Sequence, residues 1–95
     1  MMQKLEEPQI EEKLKALPQW SELNGAIQRT FQFKDFVASM SFVERVAAEA
    51  ERVQHHPDIL IRYNKVTLTL STHDAGGITD NDFEFASFSD STSSA

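Results

Sequence analysis

Hydrophobic positions recur along this chain in two rhythms, one of period near 3.6 and one of period 2, and the switches between them mark out alternating helices and hairpins. Ile10, Leu14 and Leu17 step at helical spacing behind Pro8, which suits a first helical turn, and Pro18 cannot continue a helix. This predicts a short amphipathic helix at the start. Trp20–Leu23 and Ala26–Phe33 flank Asn24-Gly25, the dipeptide that favours a type I′ turn, and in the second run Ile27, Phe31 and Phe33 oppose Gln28, Thr30 and Gln32. The pattern is a hairpin. Asp35 then suits an N-cap for a long helix whose apolar stripe runs Phe36, Met40, Val43, Ala47, Ala50, and the helix should stop near His55 because Pro57 drives His56 out of the helical region.

Asp58–Arg62 and Lys65–Thr72 read as a second hairpin turned at Tyr63-Asn64, with Val66, Leu68 and Leu70 alternating against Thr67, Thr69 and Ser71. His73 falls on the Thr/Ser face if that strand reaches so far. Gly76-Gly77 gives a flexible turn, Thr79 and Asp82 fit a capping box opening a last helix, and the Ser-rich end from Ser87 is expected to fray. Four antiparallel strands with three helices on one face make an α+β two-layer sandwich, in the order α-β-β-α-β-β-α. One domain is expected over 1–95, with an ordered core at about 8–88. The uncovered sheet surface and its edges make a homodimer or homotetramer the expected state.

Composition narrows the chemistry by exclusion. There are no cysteines, so disulfides, thiolate metal sites and a cysteine nucleophile are excluded. A formal net charge of -6 argues against direct nucleic-acid binding, which needs clustered Lys and Arg. No stretch approaches the roughly 18 apolar residues of a membrane span, and Met1–Pro8 lacks the apolar core of a signal peptide. The expected location is the cytoplasm, with the nucleus open as a second compartment, and no membrane partner is expected.

All three histidines lie between His55 and His73, and histidine both gives and takes protons near neutral pH. Glu51 sits one helical turn before His55, where its carboxylate can orient that ring. Each residue also has a plainer account: His55 as a cap on the last helical carbonyls, His73 as a surface residue at a strand end, Asp82 as the acidic half of the capping box. Zinc is disfavoured, because adjacent histidines in extended chain point to opposite sides and no HxH or HExxH spacing occurs. No GxSxG elbow or phosphate-cradling glycine motif is present.

Glu51-Arg-Val-Gln-His-His-Pro57, Tyr63-Asn-Lys-Val66, Leu70-Ser-Thr-His73 and Gly77-Ile-Thr-Asp-Asn-Asp82 together resemble the signature of the pterin-4a-carbinolamine dehydratases, and the resemblance runs from Trp20 to Phe88. One departure is Ile59, where that family usually carries an aromatic residue. The resemblance implies a homo-oligomeric α+β sandwich that dehydrates 4a-hydroxytetrahydrobiopterin to quinonoid dihydropterin without metal or organic cofactor, in step with an aromatic amino-acid hydroxylase. It implies a pocket lined by His55, His56 and His73 with Glu51 and Asp82 as supporting carboxylates, and substrate contacts from Gln54, His55, His56, Ser71, Thr72, His73 and Asp74. Within it His55 and His73 are expected as exchangeable acid and base, and His56 as a binding and polarising group. Asp82 is expected to be chiefly a helix cap that also steadies His73. A rival role implied by the same resemblance is a dimerisation cofactor for a homeodomain transcription factor, acting through Ser41, Glu44, Arg45 and Ala48.

Overall fold

The computed structural model describes residues 3–94; the ends of the expected domain, 1, 2 and 95, lie outside them. The elements follow in the expected order: α1 (Glu7–Leu14), β1 (Ser21–Leu23), β2 (Ala26–Gln32), α2 (Phe36–Val53), β3 (Asp58–Arg62), β4 (Lys65–Leu70) and α3 (Asp80–Ser93), with a short 3-10 turn at His73–Ala75. The strands form one antiparallel sheet in the order β1-β2-β4-β3. Asn24 and Gly25 both have positive φ, 52° and 79°, as a type I′ turn requires.

The sheet is two-faced because its side chains alternate. Ile27 lies opposite Leu70 and Phe31 opposite Val66, all buried, whereas Gln28 faces Thr69 and Thr30 faces Thr67 on the other side, each pair hydrogen-bonded through its side chains. The helices cover the apolar face. Arg29 is the polar intruder there; it bonds Asp90 of α3 at 2.6 Å while Trp20 donates its indole N–H to the same oxygen at 2.8 Å.

Three expectations about element detail need correction. On α2 the buried positions are Ser39, Phe42, Val46 and Ala50, not Phe36, Met40 and Ala47; Phe36 is 48% exposed. Aromatic packing sets this phase, for the Phe42 ring lies 4.7 Å from Phe31 and 5.0 Å from Phe33. β4 ends at Leu70 and not at Thr72, because Thr72 turns aside to pair with Gly77, so His73 opens a 3-10 turn and strand parity does not place it. The Ser-rich end does not fray at Ser87: α3 continues to Ser93, with Ser89 buried and bonded to the Phe85 carbonyl, and Thr92 gripped by Arg45. Ahead of α1, Leu5 is buried and its N–H bonds the Ile78 carbonyl.

Candidate active site

The corner where α2 hands over to β3 builds the site. Pro57 forbids further helix, so Gln54 takes a left-handed conformation (φ 55°) and both its N–H and that of His55 close on the Ala50 carbonyl. The chain leaves the helix extended, and the two histidine rings part company. His55 Nε2 lies 2.6 Å from Asp82 Oδ1 at the start of α3, and His56 Nε2 lies 2.6 Å from Glu51 Oε2 in the last turn of α2. The expected Glu51–His55 and Asp82–His73 pairings are therefore replaced: Glu51 serves His56 and Asp82 serves His55. Helical spacing alone misleads here because the left-handed cap swings His55 away from the turn that carries Glu51.

The His55 pair is set deep. Its side chain is 11% exposed and that of Asp82 is 0% exposed. The ring meets Phe85 edge-on at 6.4 Å, three positions after Asp82 on the same face of α3. Asp82 Oδ2 accepts from the Thr79 N–H and from the Thr72 hydroxyl, both at 2.9 Å, and the Thr72 and Thr79 hydroxyl oxygens are 2.7 Å apart. The expected capping box is thus present, with Thr79 also accepting from the Asn81 N–H. Glu51 and His56, by contrast, are solvent-exposed, with side chains 75% and 56% exposed.

The other candidates scatter around this core. His73, Ser71 and Asp74 are exposed, and His73 follows Thr72 directly in the chain. Gln54 turns its amide back onto the Glu51 carbonyl. Thr72, expected as a substrate contact, spends its hydroxyl on Asp82. Ile59, at the departure from the family pattern, is 36% exposed on the edge strand opposite Leu68. A cavity of about 200 Å³ opens beside His55, lined by Glu49, Arg52, Val53, Asn81, Glu84 and Phe85. Its walls do not include His56, His73 or Glu51. On its rim Arg52 binds Glu49 at 2.9 and 2.7 Å, and these bonds hold the Glu49 carboxyl below its ordinary range. Among the described residues, no three His, Asp or Glu side chains converge where they could share a metal ion.

Thr79 and Phe85, which contact the His55–Asp82 pair, were not among the expected site residues. Thr79 was legible only as a helix cap, and Phe85 only through its three-residue spacing from Asp82.

The family model described as pterin 4 alpha carbinolamine dehydratase matches residues 3–92. This chain belongs to that family. A protein of Acidobacterium capsulatum bearing the dehydratase name is 56% identical over 77 residues, covering 81% of this chain and 84% of the relative. One from a Picosynechococcus species is 46% identical over 86 residues, covering 90% and 94%. Among solved structures, a transcriptional coactivator/pterin dehydratase from Brucella melitensis superposes with a TM-score of 0.92 at 36% identity, covering 95% of this chain and 98% of that one. The pterin-4a-carbinolamine dehydratases are lyases, and the chain is an enzyme of that kind. No helix among the described residues is long and apolar enough to cross a membrane.

Proposed function

We propose that this dehydratase acts on 4a-hydroxytetrahydrobiopterin by histidine acid-base catalysis, returning quinonoid dihydropterin to the pterin cycle of an aromatic amino-acid hydroxylase. In the reaction the C4a–O bond breaks and the hydroxyl leaves as water, carrying a proton from an imidazolium. The N5 proton passes to a neutral imidazole as the N5=C4a double bond forms. The sum is substrate to product plus water, and each step is a proton transfer that imidazole performs. His55 and His73 are the exchangeable acid and base, and His56 binds and polarises the pterin. The observation that carries this reading is the pairing of His55 with Asp82 and of His56 with Glu51: two neighbouring rings, each oriented by its own carboxylate. Generating the carbinolamine with a hydroxylase and following its ultraviolet decay tests it. Faster decay with the protein present is expected, and an unchanged rate would refute the reading.

The exposed edge of β3, where Leu60 is 54% exposed, supports a homo-oligomer in solution. A second role, binding a homeodomain protein as a dimerisation cofactor, draws support from the coactivator name of the Brucella structure and from the open face of α2. There Phe36 and Val37 are 48% and 76% exposed, and Ser41, Glu44 and Ala48 are exposed beside them, whereas Arg45 is tied to Ser41 and Thr92. Retained capture of such a partner by His55→Ala protein would separate this role from catalysis; no capture by wild-type protein would end it.

A further inference from the structure

The hydroxyls of Thr72 and Thr79 form a chain whose direction is set by counting protons. Thr79 Oγ1 accepts the Asn81 N–H at 3.2 Å and lies 2.7 Å from Thr72 Oγ1, which in turn lies 2.9 Å from Asp82 Oδ2. Each hydroxyl has one proton to give. Asp82 only accepts from these neighbours, so the Thr72 proton goes to Asp82 and the Thr79 proton goes to Thr72. Asp82 Oδ2 also receives the Thr79 N–H, which fills that oxygen and leaves Oδ1 to His55. A donor is what Oδ1 needs from the ring, so Nε2 carries hydrogen and Nδ1 is the nitrogen left for substrate.

We propose that Thr72 and Thr79 are positioning residues for the reaction: by holding Asp82 in one rotamer with one open acceptor, they fix the tautomer and orientation of His55. The proposal rests on the dehydratase reading above and deepens it. It also moves Thr72 from the group of substrate contacts into the support of the working ring. Burial strengthens the effect. Thr79 and Asp82 are 0% exposed, so no water competes for their hydrogen bonds, and polar groups in such a place are held by their partners alone.

Thr72→Val tests this, because valine keeps the β-branched shape and suits the extended backbone at Thr72 (φ -106°, ψ 100°) but donates nothing. In this variant kcat should fall roughly ten-fold with KM nearly unchanged, the scale seen when an outer partner of a working histidine is lost. Thr72→Ser, which restores the donor, should recover most of that loss. Two-bond proton–nitrogen NMR of the neutral His55 ring gives a reading independent of turnover: a single Nε2–H tautomer in wild type and in Thr72→Ser, and a mixture in Thr72→Val. If the wild-type protein proved inactive on the carbinolamine, the dehydratase reading would fail while the tautomer result still judged the positioning claim. A raised KM with unchanged kcat in Thr72→Val would make Thr72 a substrate contact and overturn the proposal. So would a pure Nε2–H ring in that variant, or equal kcat losses in the valine and serine variants. Should Thr72→Val not fold, Thr72→Ala removes the same donor and is read the same way.

Discussion

The two histidine–carboxylate pairs at the α2–β3 corner have the same length, 2.6 Å, and opposite surroundings. His56–Glu51 stands in water, where an ion pair gains little because solvent screens it and two mobile side chains must be held still. His55–Asp82 is enclosed, and its carboxylate is also held by Thr72 and the Thr79 N–H. A buried group with every acceptor in use cannot be removed without stranding its partners. Equal distance thus hides unequal surroundings: one pair is a fixed part of the fold, and the other is an adjustable contact at the surface.

The contrast breaks most visibly at Asp82. Asp82→Ala deletes a helix cap and orphans buried donors, so thermal or denaturant unfolding should report a loss of about 2–4 kcal/mol. Asp82→Asn separates the two tasks. Its amide keeps an acceptor for the cap yet presents N–H₂ where an oxygen stood, which forces one of its partners to reverse. Stability should drop by only about 1 kcal/mol while kcat falls about 100-fold or more, since a histidine held in the wrong tautomer cannot transfer the proton. Near-normal turnover in that variant would return Asp82 to the chiefly structural role expected from its capping-box spacing.

Glu51→Ala, the matching change in the exposed pair, should change the unfolding free energy by no more than about 0.5 kcal/mol, and any kinetic effect should lie in KM through His56. Raising salt toward about 1 M shortens screening to roughly 3 Å and should reproduce part of that KM change without altering kcat. The smallest expected effect concerns the cavity rim. The Arg52 hydrogen bonds depress the Glu49 carboxyl, so the pair contributes stability above the unfolded carboxyl's ordinary value and loses it as pH falls through the lower folded value. Arg52→Gln should therefore flatten the acid limb of the stability profile slightly and leave the neutral region unchanged. On β1 Glu22 behaves oppositely: a hydrogen bond with Glu7, burial and the charges of Glu7 and Glu11 hold its carboxyl above the ordinary value. That contribution is present in acid and lost as pH rises, so Glu22→Gln should stabilise the protein at neutral pH more than in acid.

Most of the architecture was legible in the sequence because local signals agreed with tertiary need. Asn24-Gly25, the Asp35 cap, the alternation of Val66, Leu68 and Leu70, and the Thr79–Asp82 box all appear as read. The phase of α2 was not legible. Phe36 and Phe42 are equally apolar, and only the sheet, by offering Phe31 and Phe33 at one point, selects Phe42. The site shows the same division. The choice of His55, His56, Glu51 and Asp82 as candidates follows from motif order, but the pairing among them depends on the left-handed Gln54 and on His55 meeting Asp82, a contact between residues far apart in the chain.

If the enclosed pair aims a proton-transferring ring while the exposed pair serves binding, the three histidines should separate in kcat and KM. Steady-state kinetics of His55→Ala, His56→Ala and His73→Ala on the carbinolamine, with melting midpoints on the same preparations, test it most directly. The expected result is a kcat loss of roughly 100-fold for His55→Ala and for His73→Ala, a smaller loss for His56→Ala expressed mainly in KM, and folded protein in every case. Full activity in His55→Ala protein, or a kcat loss confined to His56→Ala, would contradict it.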